Sequence, residues 1–217
     1  MKDHSESLLG RLYGKLKMRW AYVILFAICA GVYTGIVMLI PALNNTSFQD
    51  IGTYYEWWLI FAVIIVVNCK SGLEAMLKCF VFFLISQPLV FAVEEVFGPL
   101  GMDRAIYYYT RIWFPITLLT LPGGFLAYYC KKQNLIGAII LGIGNAIQVM
   151  MGVYYAHQTM VSFPHHILTV IICFVSVFVM SFSIQKDRKN QIISILLPFV
   201  LLGVTLVLLS MTGRTLF

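Results

Sequence analysis

QIISILLPFVLLGVTLVLLS, residues Gln191–Ser210, contains twenty residues and no charge. A helix rises about 1.5 Å per residue, so this length spans about 30 Å, the hydrocarbon thickness of a bilayer. Lys186, Arg188 and Lys189 sit just before it. An apolar run bounded by basic residues in this way predicts a membrane-spanning helix.

Six further segments read the same way: Trp20–Pro41, Tyr54–Cys69, Leu73–Phe97, Ile106–Cys130, Asn134–Ala156 and Pro164–Ile184. The second is the shortest, and Tyr54, Tyr55, Trp57 and Trp58 would anchor it at one interface. Composition agrees. The chain is 60% hydrophobic and 11% charged, against roughly 45–50% and 25% in soluble domains. Disorder is excluded, because it requires low hydrophobicity.

The net charge of +6 would suggest nucleic acid in a soluble protein. Here the basic residues lie in short loops between apolar runs, so orientation explains them and nucleic acid is not an expected partner. Lys2, Arg11, Lys15, Lys17, Arg19, Lys70, Lys78, Lys131, Lys132, Lys186, Arg188 and Lys189 fall on one side; Arg104, Arg111 and Arg214 fall on the other. Short loops rich in Lys and Arg stay cytoplasmic. The expectation is an all-α polytopic bundle of about seven transmembrane helices in the cell membrane, with the N-terminus cytoplasmic and the C-terminus outside. Residues 1–217 read as one integral membrane domain, with 1–19 a basic cytoplasmic segment.

The five cysteines form no CxxC pair, and none falls in an outer loop. They read as packing residues, and no cofactor is expected. Nucleotide-binding glycine motifs are absent, so ATP-driven transport would need an ATPase on another chain.

Small residues recur in the first span as Ala27-x3-Gly31-x3-Gly35. Such a stripe lets another helix approach closely, either a span of the same chain or a separate membrane subunit. The fifth span carries Ala138-x3-Gly142-x3-Ala146, with Asn145 and Gln148 on one face. Carboxamides at such depth serve as interhelical glue or line a polar cavity. Pro88, Pro115, Pro122 and Pro198 each free a backbone carbonyl inside a span. Broken helices of this kind are tolerated where protein or a cavity meets the freed group.

Chemistry-capable residues gather toward the outer ends of the spans: Asp50, Glu56, Glu94, Glu95, Asp103, Arg104, Arg111, His157, His165 and His166. Gln87 and Glu94 are seven apart and share one helix face. Arg111 follows Tyr107, Tyr108 and Tyr109, and Trp113 is placed at a similar depth to Trp57 and Trp58. These residues suggest an outward-facing vestibule with aromatic walls and a few charges. Glu94 or Glu95 would receive a cationic group, and Arg111 would clamp an anion. The bland alternative is an interfacial belt with Glu–Arg pairs.

An intramembrane enzyme is the competing reading, with a metal held among His157, His165, His166, Glu94 and Glu95, or with His165 or Glu95 acting as a base. Spacing argues against it. His165 and His166 are adjacent and diverge on a helix, and no H-E-x-x-H occurs. The Glu94-Glu95 pair departs from the pattern of the intramembrane CAAX-type proteases, which carry Arg four residues after the second Glu. Position 99 is Pro.

The size of the chain, the cytoplasmic N-terminus and the stripe at Ala27, Gly31 and Gly35 resemble the substrate-binding S components of bacterial energy-coupling-factor transporters. That resemblance implies a small-molecule ligand, and a coupling subunit meeting the first helix. It covers the first span and the general build only, and a seventh span departs from the six typical of that family. The expected function is therefore binding or transport of a small solute through an outward-facing cavity. Candidate ligand residues are Gln87, Glu94, Glu95, Tyr108, Arg111, Trp113, Asn145 and Gln148. An accessory scaffold subunit without its own ligand is the remaining alternative.

Overall fold

The computed structural model describes residues 12–14, 16–98, 113–161 and 165–212. Among them the chain is helical, without strands. The helices are α1 Trp20–Met38, α2 Ser47–Thr53, α3 Tyr55–Val67, α4 Gly72–Phe97, α5 Trp113–Ala127, α6 Leu135–Val161, α7 Ile167–Ile184 and α8 Arg188–Met211. Short 3₁₀ turns fall at Pro41–Leu43 and Tyr128–Lys131.

Five of these, α1, α4, α6, α7 and α8, are long and apolar enough to cross a membrane. The pair α2 and α3, bent by 55°, makes a sixth if it counts as one span. The protein is thus a helical membrane bundle. Large apolar side chains point outward along these helices, among them Leu25, Ile143, Leu196, Val200 and Val207. Water would not tolerate that surface, and lipid does.

Two expected spans differ in detail. The segment expected at Tyr54–Cys69 yields only α3, thirteen residues and about 20 Å long. It is continued across a break by α2. For the segment expected from Ile106, residues 106–112 lie outside the described residues, and α5 is described from Trp113.

Contacts divide the chain into two compact units, Gly14–Tyr128 and Tyr129–Phe217, the latter grouped with Met1–Tyr13. The division falls inside the 3₁₀ turn Tyr128–Lys131. No linker marks it, so composition does not reveal it.

In the Gly14–Tyr128 unit, α1 and α5 both lie against α4. The α1 contact runs along the small-residue stripe. A Cβ on Gly31 would stand 2.6 Å from the Ser86 carbonyl oxygen, and one on Gly35 would stand 2.6 Å from Val93 Cβ. Ala27 is fully buried beside them. The stripe is therefore covered by α4 of the same chain. This corrects the use implied by the resemblance, in which Ala27, Gly31 and Gly35 dock a separate subunit. Val23, Ala27, Trp58, Ile65, Val66, Ala75 and Phe82 form the core between the helices, with Phe26 and Trp58 packed at 5.0 and 5.8 Å from the Phe82 ring.

One end of this unit is basic and tightly bonded. Ser71 caps α4 by accepting the Glu74 amide at 3.1 Å, and Glu74 accepts the Lys70 amide at 2.6 Å, a reciprocal cap. Lys78, expected to be a loop-side charge, is buried. It pairs with Glu74, donates to the Met18 carbonyl and lies 5.6 Å from the Trp20 ring centre. The Asn68 Oδ1 accepts the Leu16 amide at 2.8 Å, and Tyr128 donates to the Lys70 carbonyl at 2.7 Å. The start of α1, the end of α3, the start of α4 and the end of α5 thus meet at this end, so the helices alternate in direction.

In the Tyr129–Phe217 unit, α6 packs against both α7 and α8. A Cβ on Gly142 would stand 2.9 Å from Leu197 Cδ2, and one on Gly152 3.1 Å from the Cβ of Cys173. Gln133 and Gln185 tie the loops: Gln133 donates to the Ile184 carbonyl at 2.9 Å and accepts the Lys186 amide at 2.7 Å.

The close approach of α1 to α4 gives a direct test. Gly31→Val should lower unfolding stability by roughly 1–3 kcal/mol through overpacking. Gly144→Ala, where a Cβ meets nothing within 4 Å, should be neutral or gain up to about 1 kcal/mol of helix propensity. Thermal unfolding of both variants in one detergent makes the comparison, and equal effects would contradict this packing.

Candidate functional site

Far from the basic end of the Gly14–Tyr128 unit lies a cavity of about 220 Å³. Its walls include Thr34 and Met38 of α1, Gly52 and Thr53 of α2, Trp58 of α3, Trp113 of α5, and Gln87, Val90, Phe91 and Glu94 of α4. The four α4 residues stand at i, i+3, i+4 and i+7, which is one stripe of a helix. The spacing of Gln87 and Glu94 in the sequence signals this face; Val90 and Phe91 complete it.

Local backbone geometry opens the cavity. Gly52 has φ of 99°, a conformation that favours glycine. A Cβ there would stand 2.1 Å from Thr34 Oγ1. Ile51 and Gly52 break the helical course between α2 and α3, and the Trp58 indole N–H donates to the freed Gly52 carbonyl. The break turns a half-helix aside and leaves room beneath it. Trp113 stacks near Tyr55 at 6.3 Å and packs on Phe91 at 6.5 Å, making an aromatic wall.

Three expected ligand residues, Gln87, Glu94 and Trp113, therefore line one cavity. Gln87 is 8% exposed and Glu94 7%. Among the described residues no hydrogen bond engages the Gln87 side chain, while Glu94 is held by another interaction within the protein. Glu95, one residue on and about 100° around the helix, is exposed and does not line the cavity. Tyr108 and Arg111 lie outside the described residues. Sequence reasoning did not select Thr34, Gly52 or Phe91, which only the packing of α1, α2 and α4 brings together. Asp50 and Glu56, expected as interfacial charges, are fully buried.

Asn145 and Gln148 belong to the other unit, both at 0% exposure. Asn145 Nδ2 donates to Ser181 Oγ and to the Ser194 carbonyl, each at 3.1 Å. The second acceptor has a specific origin. Pro198 sits four residues after Ser194 in α8 and has no N–H to give that carbonyl. Asn145 supplies the missing donor from the neighbouring helix. Its structural role is interhelical bonding between α6, α7 and α8.

The histidines do not converge on a metal. His157 and His165 are exposed, whereas His166 is buried and stacks on Tyr155 at 5.1 Å. Among the described residues no group of three or more His, Cys, Asp or Glu side chains is placed to hold an ion. Comparison with known protein families, curated proteins and solved structures finds no match to this chain.

The Asn145–Ser194 bond yields a double-mutant test. Asn145→Leu should cost about 2 kcal/mol, the price of an orphaned buried carbonyl. Adding Pro198→Ala should recover roughly 1 kcal/mol, because residue 198 then donates to Ser194 itself. Unfolding free energies of the two singles and the double give the coupling; strict additivity would contradict the assignment.

Proposed function

We propose that this chain is a multi-pass protein of the cell membrane that binds a small solute for transport in the cavity of its Gly14–Tyr128 unit. The observation that carries the reading is Gln87. The residue is 8% exposed, lines an aromatic cavity and makes no side-chain hydrogen bond among the described residues. Its amide atoms are not enclosed by protein and reach the cavity space. A ligand that accepts from its NH₂ and donates to its carbonyl would take the place of solvent there.

Size narrows the ligand. Small-molecule pockets hold about 300–1,000 Å³, and this cavity is below that range, so the occupant is small. Trp58, Phe91 and Trp113 supply apolar contact, and Gln87 and Glu94 supply direction.

Orientation follows from charge. The Lys70 and Lys78 end of the unit is the one remote from the cavity, and basic loops face the cytoplasm. With that basic end cytoplasmic, the cavity opens on the outer side. A coupling subunit or an ATPase is compatible with this reading, and it would meet a face other than the α1 stripe.

Native mass spectrometry of the protein released gently from its own membrane tests the proposal. Wild type should retain a small organic molecule. Gln87→Met, which keeps the shape and removes the amide, should lose it with unfolding temperature unchanged or higher. Retention of the molecule by Gln87→Met would remove this cavity as its site. A bare wild-type protein stable only with a partner subunit would favour the scaffold reading.

A further inference from the structure

The cavity of the Gly14–Tyr128 unit offers an occupant more acceptors than donors. Two hydroxyls and an indole on its wall have already given their protons to the backbone. Thr34 donates to the Ala30 carbonyl at 2.9 Å, Thr53 donates to the Gln49 carbonyl, and Trp58 donates to the Gly52 carbonyl. A hydroxyl that has donated keeps lone pairs, so Thr34 and Thr53 remain as acceptors. The Glu94 carboxylate only accepts. It is held by another interaction within the protein, yet a carboxylate offers about four acceptor positions, so a ligand N–H can join that interaction. Among the described residues of the wall, Gln87 and Trp113 keep an N–H to give.

Charge points the same way. Among the described residues of this unit, Asp50, Glu56, Glu94 and Glu95 lie toward the cavity end, and Lys17, Arg19, Lys70 and Lys78 toward the other. A cleft lined by one sign of charge concentrates the opposite sign, and no described Lys or Arg lines this one. Trp58, Phe91 and Trp113 make up its apolar wall. The Phe91 and Trp113 rings meet at 54° with centres 6.5 Å apart, so they wall two sides instead of stacking flat. Aromatic rings tolerate a cation beside them because their faces are negative.

We infer that the occupant is a small protonated amine, its ammonium donating to Glu94 and to the Gln87 carbonyl, its hydrocarbon body against Trp58, Phe91 and Trp113. This rests on reading the cavity as a ligand site, and it names the ligand class. Other heads fit the same wall less well. A carboxylate or phosphate meets Glu94 with like charge. An alcohol leaves the carboxylate's charge unmatched in a site with little water. A quaternary ammonium matches the charge but brings no N–H to the acceptors. Volume sets the size: at about 30 Å³ for a water-sized group, the 220 Å³ cavity takes roughly seven non-hydrogen atoms.

The test titrates the purified full-length protein in detergent at neutral pH and follows tryptophan emission, since Trp58 and Trp113 line the cavity. Four probes of suitable size differ in their heads: cyclohexylammonium, cyclohexanol, pivalate and tetramethylammonium. Cyclohexylammonium should give a saturable change and bind about tenfold or more tightly than cyclohexanol, a gap of about 1.4 kcal/mol. Tetramethylammonium should bind more weakly than cyclohexylammonium, and pivalate should not bind. Glu94→Gln should bring the ammonium down to the level of the alcohol, and Gln87→Met should weaken both. Cyclohexanol or pivalate binding as tightly as cyclohexylammonium would overturn the inference, as would an ammonium preference that survives Glu94→Gln. The wild-type probe series decides the matter even where Glu94→Gln does not fold, which its unfolding curve shows. A solute retained in native mass spectrometry and lost in Gln87→Met, with no ammonium preference, would defeat the amine assignment and leave the cavity reading standing. Neither a retained solute nor a saturable probe would defeat both.

Discussion

In hydrocarbon a polar group has no water to turn to, so each one placed inside the bundle has to be met by another part of the protein. Much of this structure follows from that constraint. Pro198 strips the Ser194 carbonyl of its helical donor, and Asn145 reaches across from α6 to replace it. The Ile51–Gly52 break exposes a carbonyl, and the Trp58 indole takes it. Lys78 is buried, and Glu74, the Met18 carbonyl and the Trp20 ring surround its ammonium. These arrangements bind helices that apolar packing alone would hold without a fixed register.

Gln87 lies where the bundle leaves space. The same helix face carries Val90, Phe91 and Glu94 into one cavity, yet the carboxamide at its base is left without a hydrogen bond among the described residues. Its neighbours in the cavity are the aromatic rings of Trp58, Phe91 and Trp113 and the Glu94 side chain. Glycine makes the space: at Gly31 and Gly35 it brings α1 onto α4, and at Gly52 it lets a broken helix fold away from the cavity.

Much of this was legible in the chain. Unbroken apolar runs located α1, α4, α6, α7 and α8, because a hydrocarbon layer of fixed thickness imposes a length and a composition on whatever crosses it. The seven-residue interval from Gln87 to Glu94 placed both on one face, since helix periodicity is local. The stripe at Ala27, Gly31 and Gly35 announced a close helix contact without naming the partner, and α4 proved to be that partner. The short run at Tyr54–Cys69 was harder to read. It is the remainder of a helix broken at Gly52, and the break depends on a positive φ and on the Thr34 hydroxyl opposite, neither of which is visible in hydropathy.

The sequence by itself determined the solvent of this protein, the helices that meet it and the faces on which polar residues recur, because these depend on composition and on the 3.6-residue period. Only the tertiary structure decided which faces meet. Asn145, Gln148, Glu95 and the histidines looked as eligible as Gln87, since all are polar residues in or beside apolar helices. Packing separated them: Asn145 is bonded to Ser181 and Ser194, Glu95 turns outward, the histidines do not converge, and Gln87 faces open space beside Trp58, Phe91 and Trp113. Whether a buried amide is glue or a binding group depends on the neighbours it finds, and those come from helices distant in the chain.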